Sequence, residues 1–449
     1  MWNRIGQASV VGAGLMLACA PASADVQLPK LISNGMVLQR NQPVRIWGKA
    51  TPGEKVTVSI QGKSASVITA TDGTWLAILP ALRAGGPFTL DVVGNNKIEV
   101  KDVLVGEVWV CSGQSNMEWT VAISFEPEKT AAASTDPMLR MFTVTKSPQM
   151  REQSEVAGGD WQAAAPGTTP RFSAVGYHFA KTLRKALGVP VGMIHTSWGG
   201  TRIEAWTSRD MLEKQGMSRQ ERSSFDGRNP NAASVLYNGM LVPLANATVT
   251  GAIWYQGESN AGQPRKYRGQ LVDLANDWRR TFDNQNLIFV ATQLAPVRAD
   301  GNDKTSYAEI REAESMAAEV DPRNGVGVIT DVGEETDIHP RKKGPVGERM
   351  AFEALRIAYG KKDVPRSPKF ASVAFRGNVA TVRFINVGGG LEIRGGKSSE
   401  VDVPGDRLLG FQIAGSDGNF YPADAKIVGR ERVDVSSPKV PEPKAVRYG

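Results

Sequence analysis

The sequence is organised around VLVGEVWVC at 103–111, an apolar stretch that runs directly into the small-residue turn SGQSNM at 112–117. Branched and aromatic residues in a run of this length are typical of a buried strand. A turn that follows such a strand exposes its side chains at the edge of a sheet and directs backbone N–H groups toward the same place. We therefore expect Ser115 to be a nucleophile, and a nucleophilic serine needs a base beside it.

The candidate base lies in the segment Asp337-Ile338-His339-Pro340. Residues two apart in an extended segment point to the same side, and Pro340 favours extended backbone at His339. Asp337 can then accept a hydrogen bond from Nδ1–H of His339, which leaves Nε2 to accept the serine proton. We expect Ser115, His339 and Asp337 to act together, and Asp331, at the end of a predicted strand, is the alternative acid.

The other two histidines are expected to pack rather than to react. His178 lies in the middle of a predicted helix, and His195 lies at the end of a predicted buried strand. Three dispersed histidines and one cysteine after residue 24, Cys111, offer no metal-ligand spacing. No glycine loop of the phosphate-binding form precedes a helix, so we expect neither a metal nor another cofactor.

Strands and helices are predicted to alternate after Ser115. The predicted strands lie at 189–196, 249–255, 287–293 and 325–331, and the predicted helices at 170–187, 264–282, 306–320 and 346–359. This alternation is typical of a mostly parallel sheet covered by helices. Ligands of such sheets bind outside the carboxyl ends of the strands. The polar motifs follow the predicted strands, so we expect them to meet at one edge of the sheet.

Two of these motifs could supply hydrogen-bond donors to a developing oxyanion. Gly199-Gly200 allows close backbone approach, although an ordinary tight turn explains the pair equally well. Gln256 carries an amide donor directly after a predicted strand, and Glu258 is placed to bond the serine turn or Arg202. Tryptophans also cluster in the motifs, at 119, 198, 206 and 254, and we expect one or two of them to contact substrate.

The two ends of the chain have β character. Short alternating runs between turns predict an N-terminal β-sandwich at 25–102. Similar patterns return in a C-terminal β-rich region at 365–449, which could complete the first sandwich or form a separate one. The tail at 436–449 is rich in proline and lysine, and we expect it to be poorly ordered.

The first 24 residues resemble a secretory signal peptide. Arg4 precedes an apolar run at 8–20, and Ala22-Ser23-Ala24 has the form of a cleavage site. The run is short for a bilayer span, although a retained anchor is the alternative. We expect an exported protein, periplasmic or secreted, with no stable membrane insertion.

The charge pattern argues against a nucleic-acid partner. The chain has 53 Lys and Arg against 46 Asp and Glu, a formal net charge of +7, and its basic residues are scattered. Binding to a phosphate backbone needs basic residues clustered on one face. A mildly basic surface is the simpler interpretation.

These motifs together resemble one known family, the sialate O-acetylesterases within the SGNH-type serine hydrolases. The resemblance lies in GQSNM at 113–117, SWGGT at 197–201 with IEAW at 203–206, WYQGESN at 254–260, DIHP at 337–340 and the opening LISNGMVLQ at 31–39. It extends from about residue 26 to the end of the chain.

The resemblance implies a fold and an activity. The fold would be a three-layer α/β hydrolase domain at 103–364, a parallel sheet flanked by helices, joined to the two β-sandwich regions. The activity would be hydrolysis of acetyl esters on sugars, above all O-acetylated sialic acids, through an acetyl-enzyme on Ser115.

The resemblance also assigns roles at the site. Ser115 would be the nucleophile, His339 the base and Asp337 its orienting acid. The implied oxyanion donors are Ser115 N–H, a glycine of the Gly199-Gly200 pair and Gln256. Further residues of the motifs would bind substrate or support the site: Gln114, Asn116, Trp198, Arg202 and Glu258.

Two departures from the family pattern leave questions open. The wider superfamily usually has Asp and His three residues apart, whereas Asp337 and His339 are two apart, which keeps Asp331 as an alternative. Family members commonly continue beyond a segment such as AVRY at 445–448, so we expect a C-terminal region shortened by a final β element.

Three other functions remain open from sequence alone. One is deacetylation of a plant polysaccharide such as acetylated xylan. Another is a non-catalytic glycan-binding protein that uses the tryptophans. The third is an O-acetyltransferase with the same serine. The sequence does not predict the oligomeric state.

Overall fold

The computed structural model describes residues 25–223, 227–297, 305–334, 336–393, 396–397, 402–403 and 407–449. The predicted signal peptide at 1–24 lies outside the described residues. Within the described ranges, none of the helices combines the length and the apolar character needed to cross a membrane.

The N-terminal region is built from short strands that pair antiparallel with one another, apart from the first, which pairs parallel with the strand that follows the region. Its strands are β1 (Val37–Gln39), β2 (Val44–Lys49), β3 (Lys55–Ile60), β4 (Lys63–Ile68), β5 (Thr74–Leu79) and β6 (Gly85–Val93). Strand β3 pairs with β4 and β6, whereas β2 pairs with β5 in a separate two-stranded sheet that packs against β3 and β4. Buried and exposed residues alternate along β3 and β5, as expected when one face of a sheet covers a core.

One long strand joins this region to the rest of the chain. Strand β7 (Lys97–Gly113) pairs antiparallel with β6 in its first half and parallel with central strands in its second half. Asp102, with φ of 57°, lies near the change of partner. The predicted domain boundary between 102 and 103 therefore lies inside a continuous strand.

The second half of β7 lies in the middle of the central sheet. The other central strands are β8 (Asp136–Thr143), β9 (Trp161–Ala164), β10 (Val191–Ser197), β11 (Gly251–Tyr255), β12 (Ile288–Thr292) and β13 (Asn324–Gly327). Their order is β13-β12-β11-β7-β10-β8-β9, and only the β8–β9 pair is antiparallel along this path. Every residue of β10, β11 and β12 is buried, which is typical of parallel strands covered on both faces.

Helices connect the parallel strands. They are α1 (Ser115–Glu118), α2 (Pro127–Ala132), α3 (Ala174–Leu187), α4 (Arg209–Lys214), α5 (Arg219–Ser223), α6 (Pro264–Thr281), α7 (Ser306–Glu319) and α8 (Lys343–Tyr359). Helix α3 begins later than the predicted residue 170 because Ser173 caps it, its Oγ accepting a hydrogen bond from Gly176 N–H. Gly188, with φ of 68°, ends it.

The helices cover both faces of the central sheet. On β7, Trp109 contacts Phe179 of α3, and its Nε1–H donates to Tyr359 of α8. Trp109 is level with Gly251 of β11, so Trp254, three residues further along, points to the opposite face. There it contacts Trp278 of α6. The predicted α/β class, a central sheet with helices, is confirmed, and the sheet is mixed because β9 pairs antiparallel with β8.

The C-terminal region forms sheets of its own. Its strands are β14 (Lys369–Arg376), β15 (Val379–Ile385), β16 (Gly396–Lys397), β17 (Asp402–Val403), β18 (Phe411–Ala414), β19 (Phe420–Pro422), β20 (Asp424–Val428), β21 (Arg432–Ser436) and β22 (Ala445–Tyr448). The sheets are β14-β15-β21-β20, β19-β18-β22 and the pair β16-β17. Buried residues such as Val382, Ile413 and Val435 form a separate hydrophobic core. None of the described strands of this region pairs with the N-terminal region.

The tail contradicts one expectation from sequence. Residues 436–449 were expected to be poorly ordered, but β22 pairs antiparallel with β18 and Val440 is buried. The expectation was wrong because it rested on proline and lysine content. Backbone pairing with β18 depends on the N–H and C=O groups of 445–448 and not on exposed lysines.

Candidate active site

The serine turn begins where β7 ends, and its geometry requires glycine. Gly113 has φ of 139°, and a Cβ there would lie 2.0 Å from the carbonyl oxygen of Tyr255. The next residue, Gln114, donates its N–H to that same carbonyl at 3.0 Å. The chain then turns into α1, and Ser115 is the first residue of that helix, half-buried at the carboxyl edge of the sheet.

The structure places Ser115 and His339 side by side. Ser115 Oγ lies 2.8 Å from His339 Nε2, although the two residues are 224 positions apart. Asp337 Oδ1 lies 3.1 Å from His339 Nδ1 and also accepts the His339 backbone N–H at 2.8 Å. With Nδ1–H donating to Asp337, Nε2 is left as the acceptor of the serine proton. The arrangement can activate a hydroxyl.

The alternative acid has a different partner. Asp331 receives two hydrogen bonds from the guanidinium of Arg349, at 2.5 and 2.7 Å, in a bidentate pair. Such a pair fixes both oxygens of a carboxylate. The structure therefore brings Asp337, and not Asp331, to the imidazole.

Asn116 links the serine turn to the segment that carries Asp337 and His339, called here the histidine loop. Its Nδ2 donates to the carbonyl oxygen of Ile338 at 2.9 Å and to Glu258 Oε1 at 2.5 Å, while its Oδ1 accepts from Lys343 Nζ. Asn116 is fully buried, so these partners replace water. Burial raises the pKa of Glu258 and lowers the pKa of Lys343 to about 7.

One predicted oxyanion donor, Gly199 N–H, is already hydrogen-bonded to a carboxylate. Gly199 lies next to the nucleophile, since a Cβ there would be 3.3 Å from Ser115 Cβ, but its N–H donates to Glu118 Oε2 at 2.6 Å. Glu118 is held in turn by Lys146 Nζ at 2.6 Å. The backbone amides of Ser115 and Gly200 have no partner among the described residues.

The prediction that Gln256 is an oxyanion donor needs correction. Its side chain is fully buried, and Nε2 lies within hydrogen-bond distance of three acceptors: Gln114 Oε1, Thr201 O and Asn260 Oδ1, at 3.1, 3.2 and 2.8 Å. Two N–H groups facing three acceptors have no capacity left for a substrate. Gln114 also accepts from Ser259 N–H at 3.2 Å, so this pair of amides ties the strand-end turns together.

The four tryptophans of the motifs divide into two pairs. Trp206 and Trp254 are buried and contact each other with ring centroids 6.2 Å apart, so they belong to the core. Trp119 and Trp198 are partly exposed at the site. Trp119 stacks on His339, and Lys146 Nζ lies 5.1 Å from the ring centroid of Trp198.

Arg202 lies on the same loop as the glycine pair. Its side chain is exposed, and its guanidinium has no partner among the residues that the structure describes. Its backbone N–H donates to Asn231 Oδ1 at 2.7 Å, which fixes the loop. A cation is thus presented to solvent beside the site.

The two other histidines pack against neighbouring side chains, His195 buried and His178 partly buried. His195 Nε2 is 2.6 Å from Ser197 Oγ, and His178 packs edge-on against Tyr177. Burial lowers the pKa of each to about 4. Both rings are therefore neutral near pH 7.

Sequence reasoning missed Glu118 and Lys343. Glu118 follows the serine turn by three residues, and only the folded loop brings it to Gly199. Lys343 reads as a surface lysine, because lysine is almost never fully buried unless paired. No local signal in the sequence marks either contact.

Comparisons with known proteins show which family the chain resembles. A family model described as carbohydrate esterase, sialic acid-specific acetylesterase, matches residues 105–355, more than half of the chain. Sialate O-acetylesterase of Homo sapiens is 33% identical over 409 residues, which cover 81% of this chain and 77% of that protein. The protein of the same name from Mus musculus is 32% identical over 420 residues, covering 78% of this chain and 77% of its own.

A solved structure supports the same family. The crystal structure of a carbohydrate acetylesterase from Xanthomonas citri superposes with a TM-score of 0.85 at 40% sequence identity, and the match covers 94% of each chain. The chain therefore belongs to the sialic acid-specific acetylesterase family of carbohydrate esterases, and it is a carboxylic ester hydrolase.

Proposed function

We propose that this chain is a serine esterase that removes O-acetyl groups from carbohydrates through an acetyl-enzyme on Ser115. The observation that carries the proposal is the 2.8 Å distance between Ser115 Oγ and His339 Nε2, with Asp337 on the opposite ring nitrogen. A serine, a base and an orienting acid in this relation form the constellation of many unrelated acyl hydrolases.

The proposed reaction has two halves. In the first, His339 Nε2 takes the Ser115 proton while Oγ attacks the acetyl carbonyl carbon. The tetrahedral intermediate collapses, the C–O bond to the sugar breaks, and His339 returns the proton to the departing sugar oxygen. In the second, His339 takes a proton from water, the hydroxide attacks the acetyl-enzyme, and acetate leaves as Ser115 regains its proton.

We assign the oxyanion to the backbone N–H groups of Ser115 and Gly200. These donors have no partner among the described residues, and Gly200 directly follows Gly199, which lies next to Ser115. Gly199 N–H is already bound to the Glu118 carboxylate, and an oxyanion placed on it would compete with that charge. Donors preorganised toward the developing charge lower the barrier most.

We also propose the finer architecture that the resemblance implies. The parallel sheet and its helices at 103–364 would form a three-layer SGNH-type hydrolase domain, with β-sandwich regions at 25–102 and 365–449. The serine turn at the end of β7 and the histidine loop after β13 support this class, because both lie at the carboxyl edge of the sheet. Residues 1–24 would direct export to the periplasm or the medium.

We propose O-acetylated sialic acids as the substrates. Two curated relatives are sialate O-acetylesterases, and sialic acid carries a carboxylate that a cation can recognise. The exposed guanidinium of Arg202 beside the glycine pair supplies such a cation. Acetylated xylan is the alternative substrate, and it has no carboxylate on its acetylated xylose.

The substrate proposal is tested with Arg202→Gln and the matched variant Arg209→Gln, which changes an exposed arginine on α4. We expect Arg202→Gln to raise KM for acetylated sialic acid about 10-fold, the cost of one charge-assisted contact, and to leave p-nitrophenyl acetate hydrolysis unchanged. Faster release of acetate from acetylated xylan than from sialic acid by the unaltered protein would favour the polysaccharide.

The mechanism is tested with Ser115→Ala. We expect acetate release to fall by more than about 10³-fold, while glycan binding persists. The control is Ser112→Ala, which removes a buried hydroxyl with no partner among the described residues and should leave turnover unchanged. Undiminished turnover of Ser115→Ala would end the proposal. An inert unaltered protein that still binds glycans would indicate a binding protein, and acetyl transfer to sugars in preference to water would indicate a transferase.

A further inference from the structure

Lys343 occupies a place that is unfavourable for a lysine. It is the first residue of α8, and it is 1% exposed. Burying an ammonium group costs several kcal/mol unless partners compensate for the lost water, and the amino end of a helix favours anions over cations. Packing and helix formation therefore do not explain this residue.

The ammonium group contacts residues that lie around the site. Lys343 Nζ donates to Asn116 Oδ1 and lies 5.4 Å from the ring centroid of Trp119 and 5.5 Å from that of Tyr255. Trp119 is the ring that stacks on His339. The carboxylates that attract Lys343 are Glu258, Asp337 and Glu334, and they raise its pKa against the stronger effect of burial.

Asn116 transmits this contact to both reacting groups. It directly follows Ser115, and its Nδ2 holds the carbonyl oxygen of Ile338, the residue before His339, at 2.9 Å. The same Nδ2 donates to Glu258 Oε1. One amide thus ties the nucleophile turn to the backbone of the histidine loop.

Lys343 is one of three partners that fix the orientation of that amide. An asparagine side chain has one acceptor end and one donor end, and its environment decides which way it points. Lysine is a donor only, so it holds Oδ1 on its own side and leaves Nδ2 facing Ile338 and Glu258. Without Lys343, Oδ1 loses its partner, and the amide is held only by the contacts of Nδ2 with Ile338 and Glu258.

We propose that Lys343 is a positioning residue for ester hydrolysis. It acts through Asn116 to keep the Ser115 turn and the Asp337–His339 segment at the separation at which the proton can be transferred. The inference rests on the proposed function. It adds to that function a buried lysine that touches neither substrate nor the reacting atoms.

The experiment compares Lys343→Met, Lys343→Gln and the matched variant Lys361→Met, which changes an exposed lysine just beyond the other end of α8. We expect Lys343→Met to lower kcat for p-nitrophenyl acetate about 10- to 100-fold, as small misplacements of reacting groups do, with KM and melting temperature little changed. Lys343→Gln keeps an N–H donor and should recover part of the loss. Lys361→Met should match the unaltered protein.

A double-variant cycle tests the route through Asn116. If Lys343 acts through Asn116, the variant Lys343→Met/Asn116→Ala should be no slower than Asn116→Ala alone, because neighbours in one network are not additive. Asn116→Asp keeps an acceptor for Lys343 but has no N–H for Ile338, so it should reproduce the loss even if Lys343→Met does not fold.

The results separate this inference from the proposed function. An inactive Ser115→Ala together with a Lys343→Met that keeps kcat within about twofold overturns the inference alone. Additive losses in the double variant also overturn it. Full activity of Ser115→Ala overturns the proposed function instead.

Discussion

The indole ring of Trp119 stacks on the imidazole of His339, with ring centroids 5.2 Å apart and the planes 15° from parallel. The indole is itself fixed, because Nε1–H donates to the carbonyl oxygen of Ile123 at 2.9 Å. His339 lies on an exposed loop, and its side chain is 26% exposed. The stack therefore limits how far the ring can turn away from Ser115.

Removing this stack should slow the chemical step. We expect Trp119→Leu to lower kcat about 10-fold, because a ring that samples more orientations is less often aligned for proton transfer. Trp119→Phe keeps an aromatic face and should lose less. Steady-state kinetics with p-nitrophenyl acetate measure both, and equal kcat values for Trp119→Leu and the unaltered protein would show that the stack does not orient the base.

Asp337 should matter for turnover, whereas Asp331 should not. Replacing a buried triad aspartate with asparagine can cost about 10⁴ in kcat, but the Asp337 side chain is 50% exposed, and water can partly replace it. We expect a loss of about 10- to 100-fold for Asp337→Asn, since solvent weakens such contacts. Asp331→Asn is the matched control: it breaks the pair with Arg349 and should leave kcat unchanged. The reverse ranking would return the acid role to Asp331.

Gln256 should contribute more to stability than to turnover. Gln256→Ala leaves Thr201 O without its donor, and an unsatisfied buried acceptor costs about 1–3 kcal/mol, whereas Asn260 Oδ1 still accepts from Ile203 N–H. We expect a lower urea midpoint and a loss in kcat smaller than 10²-fold, the value typical of a lost oxyanion donor. A loss of 10²- to 10³-fold at unchanged stability would restore Gln256 to the oxyanion hole.

Acid should destabilise the fold through His195. Burial lowers its pKa to about 4, whereas an unfolded histidine titrates near 6.5. Between these values the unfolded chain binds a proton that the folded chain does not, so stability falls as the pH drops from 6.5 toward 4. A shift of this size corresponds to at most about 3 kcal/mol.

His195→Gln isolates this contribution from the other titrating groups. Buried carboxylic acids such as Glu258 and Glu314, whose pKa values burial raises, act in the opposite direction but are common to both proteins. The free energy of unfolding is measured in urea at pH 7 and at pH 4.5. From pH 7 to pH 4.5 it should decrease more for the unaltered protein than for His195→Gln. Equal losses in the two proteins would contradict the assignment.

Sequence patterns predicted the features that depend on local periodicity. The apolar run before Ser115 is part of β7, and the Asp337–His339 spacing places both side chains together, because short-range geometry fixes each of these. The meeting of Ser115 with His339 followed from the rule that parallel strands place their carboxyl ends at one edge.

The remaining features depend on contacts between distant segments. Gly199 meets Glu118 across 81 positions, and Lys343 meets Asn116 across 227, so no local pattern predicts either pair. Gln256 is a similar case: its position after a strand was right for a donor, but two of the acceptors that occupy it, Gln114 and Thr201, come from other turns, and the third, Asn260, lies four residues further along. The predicted strand at 325–331 ends at Gly327, because Ile329 and Val332 bury their side chains in a turn rather than in the sheet.

The most direct test of the central claim is covalent labelling with a small fluorophosphonate, followed by peptide mass spectrometry. If Ser115 is the nucleophile and His339 its base, one adduct forms on the peptide that contains Ser115, activity falls in proportion to it, and His339→Ala reacts far more slowly. Complete inactivation with an unmodified Ser115, or with the adduct on another residue, would contradict the account.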